Sequence, residues 1–199
     1  MEENSKQKLN GRRKLFLVLA ICAAPMICSY LAYYIIKPAG RTNYGTILDP
    51  RLYPMPVMQT TPLGNARAEK GLSAYQGKWI MLTVDTGDCA AACQKRLYDM
   101  RQLRLAQGKE MDRIERVWMV TDEQPVSTSL LREYDGMHIL KTAPAELQHW
   151  LPADAGTQIS DHIYLIDPLG NLMMRFPKDA DPNKIKKDLV KLLRASAIG

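Results

Sequence analysis

Residues 15–36 form a run of 22 without a single charged side chain. As an α-helix rising about 1.5 Å per residue, this run extends roughly 33 Å, enough to cross a hydrocarbon layer about 30 Å thick. Pro25 lies inside it, and a membrane helix tolerates proline better than a soluble one does. Tyr30, Tyr33 and Tyr34 gather toward its far end, where an interfacial aromatic belt would sit. Lys6, Lys8, Arg12, Arg13 and Lys14 precede the run, whereas only Lys37 and Arg41 follow it closely. The positive-inside bias therefore predicts a cytoplasmic N-terminus and a C-terminal domain on the opposite side. The run is long for a cleaved signal peptide, and no small-x-small cleavage pattern follows it, so the expectation is an uncleaved anchor in a lipid bilayer. Glu2 and Glu3 are out of place in a transit peptide, which favours a bacterial inner membrane with a periplasmic domain.

The expected division is a basic tail at 1–14, a membrane helix at 15–36, a linker at 37–66 and a folded domain at 67–199. The linker expectation rests on Pro38, Pro50, Pro54, Pro56 and Pro62 together with Gly40, Gly45 and Gly64. Net charge is +6. The tail supplies half of it, with five basic against two acidic residues, and the rest is spread over a whole domain without a stripe. That pattern suits membrane topology and not nucleic-acid binding.

Beyond residue 72 the pattern alternates between strand and helix. The apolar runs at 79–84, 117–120 and 163–166 read as buried strands, and 172–176 reads as the return of a hairpin across the turn Asp167-Pro168-Leu169-Gly170-Asn171. Cys93, Leu97 and Met100 recur at helical spacing in a helix ending near Gly108. Ser127, Thr128 or Ser129 can cap a short helix, 144–150 reads as another, and Asp181-Pro182 opens a last helix whose core stripe is Ile185, Leu189 and Leu192. This order predicts an α/β domain with a thioredoxin-like central sheet flanked by helices.

Four cysteines are present. Cys22 and Cys28 lie in the apolar run, where a thiol behaves as a small hydrophobe. Cys89 and Cys93 stand where the first strand hands over to its helix, in the spacing C-x-x-x-C. Such a pair can be a structural disulfide, a redox couple or half of a soft-metal site. The helix N-terminus favours thiolate, which suits Cu(I) or reversible disulfide chemistry. Met55 and Met58 are expected to dock on the domain rather than to offer thioethers, and His138 and His149 to lie at the surface. No phosphate loop, hydrolase triad or paired-carboxylate arrangement occurs in the sequence.

The residues Gly77-Lys78-Trp79-Ile80-Met81-Leu82 followed by Cys89-x-x-x-Cys93 resemble the opening of the Sco/SenC domain. So do the stretch from Ala106 to Ile114 with its following strand ending Val120-Thr121-Asp122, and Asp161-His162 followed by Tyr164-Leu165-Ile166-Asp167-Pro168-Leu169-Gly170. The resemblance spans roughly 72–193. It implies a tethered thioredoxin-fold protein that carries copper, or reduces a disulfide, for cytochrome c oxidase assembly. It implies copper ligation by Cys89, Cys93 and His162, and an oxidase subunit or another copper-assembly protein as partner. Two departures mark a divergent member: Gln94 stands where the family tends to have proline, and His162 is only two residues ahead of Tyr164.

Overall fold

The computed structural model describes residues 2–36, 43–63 and 71–198, with side chains described from residue 13 onward in the first helix. The chain divides into two compact units, 1–42 and 43–199.

The first unit is helix α1 (Glu2–Leu31), continued by one π-helical turn over Ala32–Ile36. The basic tail belongs to the same helix. Within this unit Arg13–Ile35 is a 23-residue stretch containing an 18-residue window of mean hydropathy 2.3, long and apolar enough to cross a membrane. Its large apolar side chains, Phe16, Ile21 and Met26 among them, are exposed, which suits contact with lipid rather than with a protein core. Tyr30 and Tyr33 both pack against Tyr34 near its end.

The second unit is one mixed sheet with helices on both faces. In chain order its elements are β1 (Thr46–Ile47), β2 (Thr61–Leu63), β3 (Trp79–Asp85), α2 (Ala91–Leu105), β4 (Ile114–Val120), α3 (Thr128–Glu133), β5 (His138–Lys141), α4 (Pro144–Trp150), β6 (Tyr164–Ile166), β7 (Leu172–Arg175) and α5 (Pro182–Ala195). The strand order is β1-β7-β6-β3-β4-β5-β2. β3, β4 and β5 run parallel, and β6 and β7 return antiparallel beside β3. The four strands expected from the sequence share this sheet, as a thioredoxin-like fold requires.

Strand period 2 sorts the core into two layers. Trp79 and Met81 of β3 and Trp118 of β4 join Leu97 and Met100 of α2 and Ile185 and Leu189 of α5 on one face. Ile80, Leu82 and Val84 join Val117, Met119, Leu147 and Trp150 on the other. With both faces covered, β3 is buried from Trp79 to Val84, which is why it reads as a continuous apolar run. The helix starts follow the sequence: Ser127 Oγ accepts the Leu130 N–H at 3.3 Å, and Asp181 Oδ1 accepts the Asn183 N–H at 2.9 Å with Pro182 first in α5.

The linker expectation for 37–66 requires correction over 43–63; residues 37–42 and 64–66 lie outside the described residues. β1 pairs with β7 and β2 pairs with β5, so this segment supplies both edges of the sheet. Between them Pro54 bridges Asn171, the Leu172 N–H donates to Tyr53 O at 3.0 Å, and Tyr53, Met55 and Met58 pack on the second core layer. Proline is tolerated because edge positions do not need every backbone donor. Met55 and Met58 thus dock as expected, on the face opposite the layer that contains Cys89 and Cys93.

β5 escaped the sequence reading, and β4 starts three residues before its expected start at Val117. Both differences come from polar residues that find partners. Glu115 accepts from Lys78 Nζ at 2.7 Å and lies 3.1 Å from His138 Nε2, and buried Arg116 donates from Nη2 to Asp135 O at 3.0 Å. His138, expected at the surface, is half-buried and stacks on Tyr75 with ring centroids 4.0 Å apart; His149 is exposed as expected.

Burial alone would raise the Glu115 pKa, but the hydrogen bonds from His138 and Lys78 together with the attraction of their charges outweigh it and bring the carboxyl down to about 2. A carboxyl depressed on folding stabilises the fold above its unfolded value, here 4.5, and that contribution is lost as pH falls through about 2. Glu115→Gln is therefore expected to cost about 2 kcal/mol at neutral pH, the partial exposure of Lys78 keeping the figure modest. It should also flatten the dependence of the urea midpoint on pH between those two values. An unchanged acid profile would refute this assignment.

Candidate functional site

The parallel strand β3 ends at Asp85, and the chain turns through Thr86, Gly87 and Asp88 into α2. The turn is fastened on both sides. The Thr86 N–H donates to Asp85 Oδ1 at 2.8 Å, the Gly87 N–H donates to Asp122 Oδ1 at 2.8 Å, and Arg96 of α2 is ion-paired with Asp85. Gly87 has no room for a side chain, since a Cβ there would lie 2.1 Å from the Gln124 carbonyl oxygen.

Cys89 follows with φ of +42°, in the left-handed region that side-chain-bearing residues rarely adopt. Its N–H donates to Thr86 O at 3.2 Å. Ala90 occupies the N-cap of α2 and offers no side-chain cap, so the first-turn N–H groups have no acceptor from that residue's side chain. Cys93 is the third residue of α2, and it forms a disulfide with Cys89 across a Cα–Cα distance of 5.1 Å. Both residues belong to the core layer under α2, at 0% and 1% exposure, so the disulfide state is closed to solvent. Gln94 reaches back to it: its Nε2 donates to Cys89 O at 2.9 Å, and its backbone carbonyl accepts from Tyr134 Oη at 3.2 Å.

A cleft of about 740 Å³ opens beside this turn at the C-terminal end of β3, with Val84, Asp85, Thr86, Leu151 and Thr157 in its walls. Thr157 also contacts His162, which sits one residue past a 3-10 turn (Ile159–Asp161) and two before β6. The His162 ring is completely buried. Its Nδ1 lies 2.8 Å from Phe176 O, an acceptor only, so Nδ1 carries a proton and donates. Its Nε2 lies 2.7 Å from Thr157 Oγ1, which in turn is 2.8 Å from Asp154 O. Beside it, the Gln158 N–H and the Lys178 ammonium hold the Asp161 carboxyl below its ordinary range.

In this disulfide state the structure therefore joins Cys89 and Cys93 and gives His162 other partners at both nitrogens. Among the described residues no three of His, Cys, Asp and Glu form a group able to hold a metal. Thr157 was not legible as a histidine partner from sequence, because the loop carrying it has no motif. Gln94 had one signal, its position directly after the second cysteine.

Residues 79–196 match the family described as transmembrane-like, thioredoxin-like, C-terminal domain. No curated protein matches the chain. Among solved structures, copper-bound yeast Sco1 superposes with a TM-score of 0.54 at 15% identity, over 79% of this chain and 97% of that one. Copper-bound ScoI of Arabidopsis thaliana gives 0.51 at 16% identity, over 71% and 100%. A putative electron transfer protein of Aquifex aeolicus gives 0.52 at 16% identity, over 72% and 96%. At these identities the likeness is one of fold.

Proposed function

We propose, from the premise that this chain belongs to the transmembrane-like, thioredoxin-like C-terminal domain family, that it is a membrane-tethered thiol–disulfide protein serving a copper centre of cytochrome c oxidase. The observation that carries the reading is the Cys89–Cys93 disulfide at the junction of β3 and α2. In the working direction the reduced pair meets a disulfide on its partner. One thiolate attacks a partner sulfur, a mixed disulfide forms and the partner's other sulfur leaves as thiolate. The second cysteine of the pair then attacks its neighbour, which releases the partner as a dithiol. Two electrons and two protons pass to the partner, and Cys89–Cys93 closes as the disulfide seen here. Both cysteines stand at the start of α2, where the helix N-terminus favours thiolate. A low-molecular-weight or protein dithiol regenerates the pair.

The test is a titration of the full chain in detergent, with Cys22 and Cys28 replaced by alanine, across glutathione redox buffers. Two thiols are expected to appear together in one two-electron transition within the glutathione range. A folded protein that keeps its disulfide throughout has a structural bridge, since structural disulfides resist that couple, and the reading fails.

A second reading is copper carriage by the reduced pair, supported by the copper-bound proteins that share the fold. Two thiolates beside a helix N-terminus suit a soft Cu(I) ion. His162 could join them only after giving up Thr157 or Phe176. When bound, the ion would be cargo held by Cys89 and Cys93, and the protein's part would be to keep both sulfurs ionised and shielded. Anaerobic competition with a Cu(I) chelator decides it. One ion per reduced chain, weakened in His162→Ala, supports the three-ligand set. Uptake that His162→Ala leaves unchanged limits the ligands to the cysteines, and no uptake removes copper altogether.

By the positive-inside bias, the basic residues Lys6, Lys8, Arg12, Arg13 and Lys14 ahead of the apolar run 15–36 would orient the domain toward the periplasm. A phosphatase active only outside the cytoplasm should work when fused after Gly199, and an inactive fusion would reverse the topology.

A further inference from the structure

We infer that Gln94 is a positioning residue for the thiol–disulfide couple, holding Cys89 in its left-handed conformation in the reduced as well as the oxidised state. The inference rests on the redox reading above. Three tethers fix Cys89: the bond from its sulfur to Cys93, its N–H to Thr86 O at 3.2 Å, and the Gln94 Nε2–H to its carbonyl at 2.9 Å. The amide orientation is not arbitrary, because a carbonyl can only accept and must face the nitrogen of Gln94. Gln94 is itself fixed from two directions. Its backbone N–H donates to Ala90 O at 3.0 Å in the first turn of α2, and its backbone carbonyl accepts from Tyr134 Oη.

Reduction adds two electrons and two protons, supplied by two glutathione thiols that leave as glutathione disulfide, and it removes only the covalent tether. A cysteine at φ of +42° is then free to relax to an ordinary negative φ unless its carbonyl is held. With Gln94 in place that relaxation breaks a hydrogen bond, so the dithiol stays in the geometry of the disulfide. Without Gln94 the dithiol relaxes at no such cost, while the disulfide gains nothing. Removing the clasp therefore favours the dithiol. A proline directly after Cys93 could not take this place, since proline has no side-chain donor to reach Cys89.

The experiment uses the full chain in detergent, with Cys22 and Cys28 replaced by alanine, and compares Gln94 with Gln94→Met and Gln94→Ala. Methionine keeps the length and removes the donor. The side chain is exposed, so neither variant opens a cavity. Both are expected to shift the equilibrium with glutathione about fivefold toward the dithiol, the effect of one hydrogen bond, or about 20 mV for a two-electron couple. A merely structural Gln94 would lower the melting temperature of oxidised and reduced protein alike and leave that ratio unchanged. Wild-type exchange with an unshifted ratio in both variants, or a shift toward the disulfide, overturns the inference and leaves the redox reading standing. A wild-type protein that does not exchange at all overturns the redox reading itself.

Discussion

Replacing both Cys89 and Cys93 by serine is expected to abolish two-electron exchange with glutathione completely and to destabilise the domain by about 4 kcal/mol. The first effect is absolute, because serine hydroxyls neither form disulfides nor ionise near neutral pH. Any Cu(I) uptake by the reduced domain should vanish with it, since a hydroxyl is a hard donor that a soft ion does not choose. The second effect has two parts. Opening a disulfide that closes a loop of a few residues frees denatured-chain entropy that corresponds to about 2 kcal/mol. Placing two hydroxyls at positions of 0% and 1% exposure in an apolar layer costs roughly as much again if they find no partners. The double alanine variant should lose only the first part. Urea denaturation followed by tryptophan fluorescence measures this, because Trp79, Trp118 and Trp150 all lie in the sheet domain. Serine and alanine variants of equal stability would show that the site hydrates easily and is not the closed layer described here.

Asp188→Ala is expected to cost about 4 kcal/mol and to detach β1 from the sheet. Asp188 lies on α5 at 2% exposure, and its Oδ2 accepts the Tyr44 N–H at 2.8 Å and the Gly45 N–H at 2.9 Å. Hydrogen bonds to a charged group contribute about 1.5–3 kcal/mol each, and alanine leaves both donors without that acceptor. The anchor matters because the next two residues are β1, held to β7 by a two-residue ladder. Gly45 cannot share the work through a side chain of its own. A Cβ there would meet Met174 Sδ at 2.6 Å and Phe176 Cε1 at 2.9 Å, so the backbone passes close over the core and Gly45→Ala should fail in the same direction. Asp188→Asn retains a carbonyl oxygen without the charge and should lose about half as much. Amide exchange at Thr46 and Ile47 should rise steeply in the alanine variant. Native protection there, with a stability loss under 1 kcal/mol, would show that β1 is held by its ladder alone.

The long apolar run of the first helix, the buried strand β3, the hairpin of β6 and β7, and the capped helices α3 and α5 were all legible in the sequence. Each depends on signals within a few residues: an uncharged stretch, apolar periodicity, a turn, or an aspartate before a proline. The cysteine pair was legible for the same reason, since four residues of spacing and one strand-to-helix junction place both sulfurs. The edge strands were not. The segment 43–63 carries the prolines and polar residues of a linker, and it becomes part of the sheet because distant groups meet its backbone, among them β5, β7 and Asp188, 144 residues beyond Tyr44. β5 and the start of β4 were hidden by His138, Glu115 and Arg116, polar residues whose partners lie on other elements.

The three residues expected from sequence to bind copper, Cys89, Cys93 and His162, divide along the same line. Sequence alone determined that two soft donors share the end of a strand and the start of a helix. Tertiary structure decided what His162 does. Its ring nitrogens are taken by a threonine from a loop without a motif and by a carbonyl on the far side of a β-hairpin. Spacing along the chain cannot reveal such partners, because they are brought together by the register of β6 on β7 and by the loop packed beside it. Apolar periodicity records which face of an element is buried. It does not record which distant polar group will meet a given side chain once that face has found its place.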